Sequence, residues 1–525
     1  MNPPLEPPSA DFRVTINGMP AFVHQARVSA VPFNRVWPGH QRSLDQTEIA
    51  SFVSFDADFG SFPVTVRIDV LDRFSDADLD HVEIRPAGYG IRPIIDRQNR
   101  TLTFTLAQPR HLTVEINGWH HALHLFANPL AAYTATDIRS PDTLHFGPGI
   151  HHAGLILPRS GQTIHIAEGA IVYGAILVHR ADNVRILGRG ILDSGPYHRG
   201  EQARENEPGG ELLTTGLAAG LPRENINYLG NIAAIESRHL TIDGIILRDA
   251  PLWSMNIRNG CHDVTINNVK IIGQWRYNAD GINLCTSSRV HVSNCFVRSF
   301  DDCIIARGVH MLGEHTPVND VRVTDCVLWC DWGRALEVWT GYKSARISNV
   351  VFENIHIIRT NQVALDLLTW WGGSDTTVSD IRFENIFVET DPHPLPPVMQ
   401  ENDAHRYPHP VSLPPPRHCP KLFSATLNDP GESWKSRLFR DHAYDPARRN
   451  VVFKNILVKN VHFAAPASCD SANVAIPESL VGKDDPALHI QDICFENIRI
   501  NGQKAQTLEN LRLSVRGDVT PPALR

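Results

Sequence analysis

Apolar and polar residues alternate in short runs along most of the chain, the period-two pattern of half-buried β-strands. Up to about residue 135 these runs are Phe12–Ile16, Val64–Val70, Leu102–Leu106 and Leu112–Ile116. Asn17-Gly18 and Asn117-Gly118 bound two of them and supply the positive-φ residues of tight hairpins. Strands at this spacing predict an antiparallel β-sandwich over residues 1–135.

The pattern changes after about residue 140. Strand-like runs of five to seven residues now end on Asn, Asp or Gly, as in Val184–Gly188, Leu240–Gly244, Val264–Asn268, Val290–Asn294 and Val350–Asn354. The polar position recurs at Asp243, Asn268, Asn294, Asp325, Asn354 and Asn385, in steps of 25 to 31 residues. A period in this range marks a repeat architecture. The unit leaves no room for a helix, and propeller blades are longer and carry Trp-Asp signatures. Residues 136–525 are therefore expected to form a right-handed parallel β-helix of three short strands and three turns per rung, giving an all-β chain. The Asn of each turn is expected to pair its amide with the backbone of the next rung. Residues 195–228 and 390–449 break the period and read as long inserts, expected to wall the ends of a groove.

Composition adds exclusions. The net charge is -8 with no basic run, so nothing favours nucleic acid. No segment has the 18 apolar residues of a membrane helix, and the first residues lack a signal-peptide pattern. The nine cysteines are an odd number, and most fall in strand-like runs. Both features lead to an expectation of a cytoplasmic protein, or of a secreted or periplasmic one if a signal has been trimmed away. Cys326 and Cys330 are read as buried packing residues, since no second ligand pair accompanies them. No motif calls for a metal or cofactor, and oligomeric state leaves no signal.

Two neighbouring rungs carry unusual acids: Asn278-Ala279-Asp280-Gly281 and, 21 residues after Asp280, Asp301-Asp302-Cys303-Ile304. Rungs lie about 4.8 Å apart, so Asp280, Asp301 and Asp302 are expected together on one sheet, Asp280 beside Asp301. Crowded carboxylates repel and keep a proton near neutral pH. A retained proton beside an ionised carboxylate suits glycosidic cleavage, although calcium binding and solvated turn acids also place acids in turns.

These motifs resemble glycoside hydrolase family 28, the polygalacturonases and their relatives, and more distantly family 49, the dextranases and isopullulanase, which also set a β-sandwich before the β-helix. The resemblance implies an inverting hydrolase, with Asp301 as general acid and Asp280 and Asp302 holding and deprotonating the water. It covers residues 140–390 in repeat pattern and 278–337 in specific motifs. Two departures stand out. Where polygalacturonases have Gly-His-Gly this chain has Trp332-Gly333-Arg334 followed by Glu337, and where they have a carboxylate-binding Arg-x-Lys it has Asp366. The substrate is therefore expected to be an α-linked oligosaccharide or polysaccharide, a neutral glycan ahead of galacturonan, attacked from an end or as a short chain. Candidate binding residues are Asn278, Trp275, Arg276, Arg307, Trp332, Arg334, Glu337, Lys343, Asp366 and Trp371. A polysaccharide lyase, a fructan-processing enzyme, an exo-polygalacturonase proper and a silent carbohydrate-binding β-helix are the competing readings.

Overall fold

The computed structural model describes residues 6–30, 44, 47–72, 74, 79–134, 138–197, 229–276, 278–309, 317–341, 346–360, 362–369, 376–389, 420–427, 450–464, 476–481, 488–511 and 513–525. The sequence segment 35–42, most of both inserts, Lys343 and Trp371 lie outside these residues.

Two five-stranded sheets occupy the N-terminal part. One is built on Phe12–Ile16, Val64–Val70 and Thr101–Leu106, the other on Thr47–Ala57, Leu123–Pro129 and Arg110–Ile116. Alternate residues such as Val14, Val66, Phe104, Val53, Val114 and Leu125 turn inward and share one core, which makes the pair a sandwich. The expected antiparallel pairing holds except where Leu123–Pro129 runs parallel to Thr47–Ala57. That crossover removes one hairpin, so no Asn-Gly turn announces it.

From Thr143 onward the described strands join one continuous 31-stranded sheet. Through its middle each strand hydrogen-bonds in parallel to the third strand after it, so three strands make one turn of a β-helix. Further on, the second and third strands of each turn fuse into 14-residue strands, Arg346–Arg359, Thr376–Glu389 and Val451–Ala464. The second insert is not wholly an insert: Lys421–Leu427 is a β-helix strand that pairs with Val363–Thr369. Pro and His flank it so densely in sequence that its seven residues escape the period.

The turn ladder forms, with a different partner from the one expected. Asn268, Asn294, Asn354, Asn385, Asn460 and Asn497 all take positive φ. The amide of Asn385 donates to the side-chain oxygen of Asn354 at 3.2 Å, Asn460 to Asn385 at 3.0 Å, and Asn497 to Asn460 at 2.8 Å. Left-handed backbone lies within reach of Asn at little cost, and side-chain stacking satisfies the amide without using a strand's backbone.

The sandwich rests against one side of the β-helix through Phe52, Phe126, Phe296, Trp329 and Ile358. Arg85 lies in this seam and donates to Glu115 at 2.9 Å and Glu389 at 2.6 Å. Arg359 donates to the same Glu115 at 2.6 Å, and Arg298 reaches His124 at 3.0 Å. Among the described residues no helix is long and apolar enough to cross a membrane.

Candidate active site

A different column of strands carries the acids: Met255–Arg258, Ile282–Cys285, Ile304–Val309, Arg334–Gly341, Val363–Thr369 and Lys421–Leu427. Ile282 and Leu284, Ile304 and Ala306, Leu336 and Val338 alternate into the solenoid core. The residues between them therefore face outward. In register they form a row Asn256, Asn283, Ile305, Glu337, Asp366 and Ser424, and beside it a row Arg258, Cys285, Arg307, Trp339, Leu368 and Thr426.

The acids enter at the start of these strands. Pairing of Ile282 with Ile304 and of Ile304 with Leu336 sets Asp280, Asp302 and Arg334 level, one per rung. Asp280 thus lies opposite Asp302, not opposite Asp301 as the 21-residue spacing suggested. Asp301 is the half-exposed residue of the turn between rungs. Its Oδ1 accepts from the Asp302 N–H at 3.1 Å and its Oδ2 from the Asn278 amide at 3.4 Å. Gly333 faces both Asp301 and Asp302 so closely that any Cβ there would strike their carboxylates. Trp332 packs on Ala279 and Phe300, the residues preceding Asp280 and Asp301, and so braces the two acid-bearing turns.

Charge is unevenly distributed. Asp280 is 1% exposed, accepts from the Asn283 amide at 3.1 Å, and lies 3.6 Å from the Arg307 guanidinium. Its other oxygen has no hydrogen-bond partner. Burial, and after it the charges of Asp301 and Asp302, push the Asp280 carboxyl well above the usual range, against the pull of Arg307. Asp302 accepts from the Arg334 N–H at 2.7 Å and lies 3.5 Å from the Arg334 guanidinium. That guanidinium also donates to Asp366 at 2.7 Å and stands 3.3 Å from Glu337. Burial works to discharge Arg334, but Glu337, Asp302 and Asp366 together keep it firmly cationic. Burial pushes Glu337 well above the usual range, reinforced by Asp302 and opposed by Arg334. Asp366 is likewise raised by burial, with Arg334 opposing.

The structure gathers Asp280, Asp301, Asp302, Asn278, Arg307, Arg334, Glu337 and Asp366 into one cluster. Trp275 and Arg276 have another task. The Trp275 indole N–H donates to Asp249 at 2.9 Å, and Arg276 pairs with the same carboxylate while stacking on Trp275 at 4.7 Å. Arg276 is spent there and is not the cation that faces Asp280. The pair anchors the segment whose turn, closed by Ala279 N–H to the Arg276 carbonyl at 3.1 Å, leads into Asp280. Lys343 and Trp371 lie outside the described residues. Sequence reasoning passed over Asn256, Asn283 and Trp339. Arg307 lies between Trp253 at 4.5 Å and Trp339 at 4.7 Å. Their signal was their outward strand position, which becomes visible only once register is known. Cys326 and Cys330 are buried and free.

Residues 229–396 match Glycosyl hydrolases family 28. A dextranase of Arthrobacter globiformis is 22% identical over 275 residues, 48% of this chain and 40% of that protein. An exopolygalacturonase of Arabidopsis thaliana is 25% identical over 251 residues, 47% of this chain and 53% of that protein. The chain thus spans only part of the length of these relatives, and it resembles both family 28 and a dextranase, as its motifs imply. Dex49A from Penicillium minioluteum superposes with a TM-score of 0.64 over 99% of this chain and 94% of that one, at 16% identity. That match extends the fold likeness to the whole chain, sandwich and parallel β-helix together.

Proposed function

We propose that this chain, family-28-like in its central rungs, is an inverting glycoside hydrolase acting on α-linked oligosaccharides or polysaccharides. The observation that carries the reading is the meeting of Asp280, Asp301 and Asp302 on adjacent rungs, where burial and the two neighbouring acids push the Asp280 carboxyl upward. In this reading Asp301, the least buried of the three, gives its own proton to the leaving glycosidic oxygen. Asp302 takes a proton from a water that Asp280 orients, and the water attacks the anomeric carbon from the opposite face. The bond to the leaving sugar breaks as the new C–O bond forms, and one reaction inverts the anomeric centre. Arg334, donating to Asp302 through its backbone and facing it with its guanidinium, fixes the base.

The dextranase relative and the acids of the cluster favour a neutral glycan, which we propose is attacked from an end or as a short chain. The exopolygalacturonase relative keeps galacturonan as the second reading. The test is D301N assayed on a panel of neutral and uronic α-linked oligosaccharides. Hydrolysis should fall by about 10²–10⁴ with an unchanged melting temperature. Wild-type rates in D301N would overturn the assignment.

A further inference from the structure

The outward row beside the acid triad has an unusual hydrogen-bond balance. Asn256 Oδ1, Asn283 Oδ1 and both carboxylate oxygens of Glu337 are buried without a hydrogen-bond partner. The two amide oxygens only accept, and the Glu337 carboxyl accepts at both oxygens when ionised; in the neighbouring row Arg307 Nε is also without a hydrogen-bond partner. Asn283 spends its amide N–H on Asp280, so its oxygen is the free end. Buried acceptors left open cost free energy unless something brings them donors. Pairing in register places Asn256, Asn283, Glu337 and Asp366 along one line of successive rungs, broken by Ile305.

The two guanidiniums nearest the acids are already engaged. Arg307 faces Asp280 at 3.6 Å, and Arg334 is held between Asp302 and Asp366, its Nε donating to Asp366 at 2.7 Å. Asp366 is 3% exposed, and Glu337, 1% exposed, stands between the two rungs with 3.3 Å to the same guanidinium. An anionic ligand would bring a further acid to a cluster of five carboxyl groups, with the guanidiniums of Arg307 and Arg334 already facing acids. It would bring acceptors to acceptors. A polyol brings hydroxyl donors and no charge.

We propose that Glu337 and Asp366 are the specificity residues of this cleft: Glu337 and its row take the hydroxyl donors of a neutral sugar ring, and Asp366 occupies the guanidinium that an anionic sugar would need. The inference rests on the cleft being a glycan site, but its test needs no turnover. The full chain and its variants are titrated at pH 7 with two sugar pairs, glucose against glucuronate and galactose against galacturonate. The members of each pair differ only by an alcohol or a carboxylate at C6. Wild type should bind the alcohol of at least one pair about tenfold tighter than the acid. D366A releases the Arg334 Nε from its 2.7 Å bond, so the ratio should move by about tenfold toward the acid, and the isosteric D366N should move it the same way if D366A folds poorly. E337A should weaken the alcohol about tenfold without improving the acid. A wild type that prefers the acids or binds none of the four overturns the proposal. So does an unchanged ratio in a D366A or D366N of wild-type melting temperature. If the ratio moves as expected while wild type cleaves no glycoside, the hydrolase reading fails and the specificity assignment stands.

Discussion

Two buried arginine–carboxylate networks lie on different faces of the same solenoid, and they are balanced differently. In the seam against the sandwich, Arg85 and Arg359 converge on Glu115, and Arg85 also holds Glu389. Burial pushes Glu115 up, yet Arg359 and Arg85 outweigh it and hold its carboxyl below the ordinary value. In the acid cluster, Arg334 serves Asp302, Glu337 and Asp366 at once, and Glu337 rises well above its ordinary value with neither oxygen hydrogen-bonded. Where two arginines converge on one buried carboxylate, as on Glu115, the network joins two parts of a fold, although Glu389 at its edge is raised by burial against the pull of Arg85. A network short of cations and donors is poised for a ligand. The difference separates scaffold from site more clearly than burial does, because Glu115 and Glu337 are both almost fully buried.

The comparison can be broken at either end. The largest effect is expected in the cleft, where D302N removes the proposed base and should lower kcat/KM by about 10²–10⁴, read by reducing-sugar release, with little change in melting temperature. The seam should behave in the opposite way. R85A leaves Glu115 and Glu389 without their shared cation and should cost about 3–5 kcal/mol in a denaturant titration. Equal loss of stability in R334A and R85A would mean that the two networks do the same job. G333A forces a methyl against Asp301 and Asp302; a loss of about 1–3 kcal/mol accompanied by inactivity is expected, and an active, stable variant would show the turn free to shift.

The smallest effect concerns pH. Burial lifts Asp249, the anchor of Trp275 and Arg276, from 3.8 to about 6 against the pull of Arg276. A raised carboxyl binds its proton more tightly when folded, so its contribution is present below pH 3.8 and is lost as pH rises to about 6. Glu6, which joins Arg248 and His24 beside the sandwich, runs the other way. Burial opposes, but those partners lower it from 4.5 to about 2, so its contribution is present above 4.5 and is lost as pH falls toward 2. Melting temperatures of D249N and E6Q from pH 2 to 7 should diverge from wild type in these opposite windows. A common window for both would remove the distinction.

Much of this was legible in the sequence, for reasons that also explain the misses. The solenoid shows itself because each turn needs a residue tolerant of left-handed backbone, and Asn268, Asn294, Asn354 and Asn385 mark it. The acid cluster shows itself because Asp280, Asp301 and Asp302 break the apolar rhythm on consecutive rungs. Register did not show. An offset of one residue moved Asp280 from Asp301 to Asp302, since turn length sets pairing and varies between rungs. Arg276 could not be separated from Arg307, because its partner Asp249 belongs to the preceding rung. The strand Lys421–Leu427 was hidden for want of a neighbour at the expected distance. Outward residues such as Asn283 and Asn256 look like ordinary strand polar positions until the column they share is built.

The most direct measurement is the configuration of the first product. Proton NMR during the first minutes of wild-type hydrolysis of an α-linked oligosaccharide should show the β-anomer appearing before mutarotation, with the signal absent in D301N. An α-anomer formed first, or an unsaturated product in place of a hydrolysed one, would contradict the assignment of Asp280, Asp301 and Asp302 as an inverting acid/base centre.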